Sequence, residues 1–395
     1  AVFSDEIRNE LKSGFGSEGE PRFITGGARN IQTIFNNIKG QPSNVAEDDP
    51  GDVVQYIEAH DNLTLYDVIA KSIRKDPSIP ENDMEIHKRI RLGNTLVLTS
   101  QGIAFLHAGQ EYGRTKQWLA DGTPEQKYDI FYDENGEPFK YPYFINDSYD
   151  SSDAINKFDW QKATDADLYP VNALTKDYTK GLIELRKSTD AFRLGSQDLV
   201  DRNVTLLDVP EIQDTDLVIA YKNQSTDGTG TYYVFVNADN QSRTLTLGDL
   251  DLSKGIVLVD NDEAGASAVN EPSGFTLTEG KMTIDPLTAI VIKVADESTE
   301  PENPENPTVP NENPPIDDHG KDQGGKGDKG TKEDGGKVID DNGGTKNPTE
   351  SNDEGKTLPG TATNSGNLLF LGFVLLLSTA IGFIYLRKTG RLQRS

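Results

Sequence analysis

Apolar positions along the first half of the chain switch repeatedly between two spacings. Ile31, Ile34, Phe35 and Ile38 recur at the three-and-four spacing of an amphipathic helix, and Gly40 closes the run. Val53 to Ile57 is instead a short continuous run of mostly apolar, β-type residues, the pattern of a strand buried on both faces. Helical spacing returns from Leu63 to Ile73, where Thr64 and Asp67 have the spacing of a capping box. It returns again from about Met84 to Thr99, with Ile86, Ile90, Gly93 and Val97 on one face. Gly102 to Ala108 reads as a second apolar strand. After a long insertion, Leu174, Tyr178, Leu182 and Leu185 mark a further helix. Strands and helices in alternation, with apolar strands, predict a parallel sheet in an α/β fold. If the sheet closes into a barrel, its chemistry lies where the strands end. His60 and Asp61 fall at such an end, as do His107, Gln110 and Glu111.

From about Phe192 the pattern changes to short strands separated by Gly, Asp, Asn and Pro. The runs are Val204–Val209, Leu217–Lys222, Thr231–Asn237, Arg243–Leu247, Ile256–Val259, Phe275–Thr278 and Ala289–Val294. Regular short strands predict an antiparallel sandwich. From about Asp296 to Lys356 apolar periodicity all but vanishes, first in a Pro-Glu-Asn-rich stretch and then in a Gly-Lys-Asp-rich one. Such a composition buries too little apolar surface to offset ordering entropy, so a solvated tether is expected there. Leu368 to Leu386 is an uncharged apolar run of nineteen residues. As a helix it would span roughly 28 Å, close to the hydrocarbon core of a bilayer. Arg387, Lys388, Arg391 and Arg394 follow at once, which assigns that end to the cytoplasmic side of a membrane.

Composition narrows the function classes. A formal net charge of −26 argues against a nucleic-acid partner, whose phosphates demand a basic face, while a neutral polysaccharide is not repelled. The absence of cysteine excludes disulfides, zinc-thiolate sites and thiol nucleophiles. Asp133-Glu134-Asn135-Gly136 and Asp260-Asn261-Asp262-Glu263 are oxygen-rich but do not have calcium-loop spacing. Solvated turns are expected at both, and no metal or other cofactor is expected; Ca2+ would have no specific motif to bind. Neither an initiator Met nor a signal peptide opens the chain, so a missing N-terminal part is expected to carry the export signal.

Tyr56-Ile57-Glu58-Ala59-His60-Asp61-Asn62-Leu63-Thr64-Leu65-Tyr66-Asp67 resembles the last signature region of the α-amylase superfamily (glycoside hydrolase family 13), in the form seen in type I pullulanases. Gly102 to Glu111 resembles that family's eighth barrel strand, and Ser148 to Asn156 with Phe158-Asp159-Trp160 resembles the pullulanase loop after it. Phe3 to Asn9 resembles the stretch just past the catalytic acid. The resemblance covers roughly residues 1–295 and implies the last strands of a (β/α)8 TIM barrel followed by an all-β sandwich. Its implied boundaries are 1–191 for the barrel part, 192–295 for the sandwich, 296–357 for the linker and 358–395 for an anchor.

The implied activity is cleavage of α-1,6-glucosidic links in pullulan, glycogen or starch, with an α-glucan polysaccharide as partner. Glycoside cleavage builds positive charge at the anomeric carbon, and a fixed carboxylate beside it stabilises that state. By the resemblance, Asp61 is this transition-state stabiliser, His60 binds a hydroxyl of the sugar at the cleavage subsite, and Asn62 is a further substrate contact. Without the motif, Asp61 would be read as the N-cap of the following helix. His107, inside an apolar run, is expected to be a core histidine. Tyr112 and Trp118 are candidates for stacking on sugars, although Trp118 and Trp160 equally suit packing within the loop. The nucleophile and general acid of the family stand upstream of Phe3, so this chain alone is expected to be inactive. A surface adhesin with a degenerate α-glucan site is the alternative.

Leu358-Pro359-Gly360-Thr361 resembles the sortase sorting signal of Gram-positive surface proteins, followed here by the apolar span and basic tail. Ala362 stands where that signal has Gly. The resemblance implies an extracellular, cell-surface protein joined to peptidoglycan by sortase, or tethered in the membrane by Leu368–Leu386.

Overall fold

The computed structural model describes residues 1–46, 49–125 and 127–296. In the first third, β1 (Val2–Phe3) leads into α1 (Asp5–Leu11), and β2 (Arg29–Asn30) runs directly into α2 (Ile31–Ile38). Strand β3 (Val53–Gln55) is followed by α3 (Leu65–Ile73), α4 (Pro80–Thr99) and β4 (Ile103–Ala104). Strands β1, β3 and β4 make a parallel sheet with β3 in the middle, Val2 opposite Val53 and Val54 opposite Ile103. The parallel α/β arrangement read from the apolar runs is therefore present.

The strands are shorter than those runs. Pairing along β3 reaches Val54 with β1 and Gln55 with β4, but Tyr56 and Ile57 beyond it remain buried. Val53, Gln55 and Ile57 point towards the helices and are fully buried. Gly93 of α4 makes room for this layer, since a methyl there would sit 2.7 Å from Ile57 Cδ1. The other face carries Phe3, Tyr56 and Phe105, whose rings meet edge to face with centroids 4.9 Å and 5.1 Å from Phe3. Phe3 and Ile103 on this face are exposed.

The long insertion contains a hairpin that apolar spacing did not predict, β5 (Tyr128–Tyr132) against β6 (Pro138–Ile145). Asp133–Gly136 is its turn, and Phe131, Phe139 and Phe144 fill its buried side. Short helices α5 (Asp153–Asn156) and α6 (Trp160–Thr164) lead to the long α7 (Pro170–Lys187), and α8 (Gln197–Asn203) ends the helical part.

The remainder is β7 (Val204–Leu206), β8 (Thr215–Asp216), β9 (Val218–Gln224), β10 (Thr231–Asn237), β11 (Arg243–Thr246), β12 (Ile256–Val259), β13 (Phe275–Thr278), β14 (Lys281–Ile284) and β15 (Thr288–Val294). An antiparallel sheet of order β12-β15-β10-β9-β7 faces a smaller one of order β11-β14-β13. Val218, Ala220, Phe235 and Ile290 of the larger sheet pack on Leu245, Met282 and Ile284 of the smaller. Alternate residues, among them Tyr221, Val234, Val236 and Val291, join the core that also contains α4 and α7. One sheet thus serves two cores. Gly181 of α7 is the tightest approach, where a methyl would lie 1.8 Å from the Ala264 carbonyl oxygen. Arg186 of α7 donates to the carbonyls of Leu98, Ser100 and Gly102 at 3.0, 2.6 and 2.7 Å, satisfying the C-terminal end of α4.

Among the described residues no helix is long and apolar enough to cross a membrane. The expected span Leu368–Leu386, the sorting signal Leu358–Thr361 and linker residues 297–357 lie outside the described residues.

Candidate active site

Beyond Gln55 the chain leaves β3 and forms a loop that ends at Thr64. Thr64, not Asp61, caps α3: its Oγ1 accepts the Asp67 N–H at 3.2 Å. The spacing of a capping box is present, but the reciprocal bond is not. The Asp67 carboxylate turns inward instead and accepts from Thr115 Oγ1 at 2.5 Å and from the Lys116 N–H at 3.0 Å. Burial pushes it up to about 6, against these hydrogen bonds. Asp61 is therefore not engaged in capping. Its Oδ1 lies 3.1 Å from His60 Nδ1, and the two side chains are 54% and 64% exposed. Asn62 follows at φ 62°, a left-handed conformation that Asn tolerates and that turns the loop back towards α3.

The loop is fixed from beneath. Glu58 is 1% exposed, and its Oε2 accepts the Leu65 N–H at 2.8 Å, closing the segment that presents His60 and Asp61. Its Oε1 pairs with His107 Nδ1 at 2.7 Å. His107 is thus not the core histidine that its apolar run suggested. It is a partly buried hydrogen-bond partner of Glu58, standing just past β4. Lys12, at the end of α1, is buried nearby; burial pushes its ammonium down to about 8, with the Glu58 carboxylate acting in the opposite direction. Tyr56 ties in α1 as well, donating to Asp5 Oδ1 at 2.5 Å and accepting from Arg8 Nη1 at 2.6 Å. Glu58 beyond β3 and His107 beyond β4 are thus joined beneath the loop that carries the exposed carboxylate–imidazole pair, and Tyr56 ties the same segment to α1.

Comparison with known proteins bears on this geometry. Residues 203–295 match the family described as SpuA C-terminal. The chain is 51% identical over 336 residues to pullulanase A of Streptococcus pneumoniae serotype 2, which covers 80% of this chain and 27% of that protein. Two solved structures are similar. One is the product complex of a multi-modular glycogen-degrading pneumococcal virulence factor, SpuA, at TM-score 0.72 and 52% identity, covering 75% of this chain and 31% of the other. The second is the Group B Streptococcus pullulanase SAP, at TM-score 0.69 and 53% identity, covering 75% and 39%. In sequence and fold, this chain is similar to one part of these pullulanases. It spans about a quarter of the length of the curated pullulanases it matches, 27% in the case above.

Several side chains around this loop have structural roles, some expected from sequence, as for Gln110 and Glu111, and some not, as for Tyr112. Tyr112 is fully buried and cannot stack on a sugar. It packs edge to face on Phe158 and accepts the Asp159 N–H at 3.3 Å. Gln110 Nε2 donates to Asn94 at 2.7 Å, and Glu111 Oε2 accepts the Gly109 N–H at 2.8 Å, so both brace the turn after β4. The turn 260–263 is solvated at Asp262 and Glu263, but Asp260 itself is not. It is buried and accepts the N–H groups of Asp262, Glu263 and Ser273. Among the described residues no group of three or more His, Asp or Glu side chains converges as metal ligands would. Sequence reasoning passed over Glu58. A single charge within Tyr56-Ile57-Glu58-Ala59 was the available signal, since a buried carboxylate requires partners.

Proposed function

We propose that this chain is the C-terminal part of a pullulanase-type glycoside hydrolase that cleaves α-1,6-glucosidic links in pullulan, glycogen or starch. The observation that carries the proposal is the His60–Asp61 pair at the end of the central parallel strand, exposed, unused for capping and pinned by Glu58. In this reading Asp61 stabilises positive charge at the anomeric carbon and His60 holds a hydroxyl of the same sugar. Asn62 makes a further sugar contact. The relatives' names and the glycogen-degrading description of SpuA support the substrate class.

The parallel strands are proposed to be the last of a (β/α)8 barrel, with the barrel part ending near residue 191 and the sandwich occupying 192–295. Two features support this. Strands β1 and β4 are sheet edges, and the face bearing Phe3 and Ile103 is exposed, as it would be if further strands cover it in a longer polypeptide. An apolar groove of about 590 Å³, lined by Ile103, Ala104, Leu106 and Ile183 among others, also opens beside β4. The nucleophile and general acid would come from that longer polypeptide.

Surface location is proposed on sequence grounds. Leu358-Pro359-Gly360-Thr361, the apolar run to Leu386 and the basic tail support sortase transfer to peptidoglycan or, failing that, a membrane tether, with residues 296–357 as the spacer.

Product analysis of the longer polypeptide on pullulan tests the specificity. Release of maltotriose alone is expected for α-1,6 cleavage. A product set dominated by panose or isopanose would mean α-1,4 cleavage and would defeat the pullulanase reading.

A further inference from the structure

We infer that Tyr149 is a wall of the glucan site and stacks on the sugar ring next to the one held by His60 and Asp61. The inference rests on the proposed function and adds a binding residue to it. Tyr149 is 70% exposed, so its ring gains nothing from the core. Its position is nevertheless fixed. The ring centroid lies 6.3 Å from that of His60, and the two planes are inclined at 42°, so the rings form an open corner beside the Asp61 carboxylate.

The residues on either side of Tyr149 hold it there. Ser148 is buried and bonded to the Lys116 ammonium, and the neighbouring Lys116 N–H is held by Asp67 of α3. Lys127 pairs with Asp150, lies 3.5 Å from Asp147, and sets its ammonium 5.6 Å from the Tyr149 ring centroid. Asn156 donates to the carbonyls of Ser148 and Ser151. Loop and helix α3 are therefore one braced unit, and it holds Tyr149 as an outward aromatic beside His60.

The chemistry suits a hexose. A glucose ring presents a flat face of C–H groups, which packs on an aromatic plane, while a phenolic hydroxyl can bond to the rim of the sugar. A tyrosine orders only two side-chain torsions on binding, so little entropy opposes the contact. Stacking of this kind holds substrate equally before and during bond cleavage, so it acts on affinity and not on the chemical step.

The test uses the longer polypeptide with pullulan for kinetics and maltotetraose for binding, the latter in an Asp61→Asn background. Tyr149→Ala is expected to raise KM and to weaken maltotetraose about five- to tenfold, with kcat within twofold of wild type and the melting temperature unchanged. Tyr149→Phe is expected to keep wild-type values, since it keeps the ring. If Tyr149→Ala leaves both KM and the dissociation constant within twofold, the inference is wrong, whatever happens to kcat. A fall in kcat alone would mark Tyr149 as a prop for His60. A wild-type protein that neither binds nor cleaves α-glucan would instead overturn the proposed function, and this inference with it.

Discussion

Asp61 and Glu58 lie three residues apart and do opposite things with the same functional group. Asp61 is exposed and lacks the capping bond that would otherwise explain it; Glu58 is buried and satisfied on both oxygens. Glu58→Ala should leave the Leu65 N–H and the His107 ring without their partner, costing about 1–3 kcal/mol in a denaturant titration, and Glu58→Gln should recover part of it. Two other buried groups contribute to the pH dependence of stability in opposite senses. His87 is fully buried and pushed down to about 3 by burial, with Arg91 and Lys162 adding to the effect, and its Nδ1 meets Thr175 Oγ1 at 2.9 Å. Its ordinary value is 6.5, so the unfolded chain binds the extra proton first and stability falls as pH drops from about 6.5 towards 3. Asp67 acts in the opposite sense. It rises from 3.8 to about 6, so the folded chain binds the proton more tightly and stability falls as pH rises through that window. Thermal melts between pH 3 and 7 should therefore show a shallower acid arm for His87→Gln and a steeper one for Asp67→Asn. At this scale, the position of His60 and Asp61 just past a strand end was legible in the motif, while their role in catalysis is the proposal made above. The roles of His107 and Tyr112 were not legible, because spacing cannot tell a core position from a partly buried hydrogen-bond partner, nor an exposed ring from a packed one.

Among the elements, the long helices followed directly from apolar spacing: α2 spans Ile31–Ile38, and α7 contains all four of the residues that marked it. The misses have particular causes. The β5–β6 hairpin lies in an aromatic-rich stretch whose polar turn was visible but whose strands do not alternate cleanly. Strand β14 follows β13 through Glu279-Gly280, a turn without the Asn-Gly or Asp-Gly signal that announces a hairpin. No pattern reveals Gly181 as the closest contact between α7 and the segment after β12, since that depends on a backbone 83 residues away, at Ala264. Gly181→Ala gains about 1 kcal/mol of helix propensity but must push Ala264 aside, so a net loss of about 1–3 kcal/mol is expected. Gly195→Ala, which meets nothing within 4 Å, should stay within about 0.5 kcal/mol of wild type. Equal effects of the two changes on melting temperature would show that the helix–sheet contact is looser than described.

At the scale of the whole molecule, the proposed sugar site and the proposed surface anchor are separated in sequence by the polar stretch 296–357. The proposed anchor rests on the order of Leu358-Pro359-Gly360-Thr361, the apolar run and the basic tail, with Ala362 as its one departure. Intact-mass analysis of protein released from the wall should find a chain ending at Thr361; residues past Ala362 on the released chain would point to a membrane tether instead. The central claim is that Asp61 is the transition-state carboxylate of a pullulanase. It is tested most directly by a reducing-sugar assay on pullulan, comparing the longer polypeptide, its Asp61→Asn variant and this chain alone. The account predicts turnover by the longer polypeptide, a loss of about 10²–10³-fold or more in kcat for Asp61→Asn with an unchanged melting temperature, and no turnover by this chain alone. Turnover by this chain alone, or an Asp61→Asn variant as active as wild type, would contradict it.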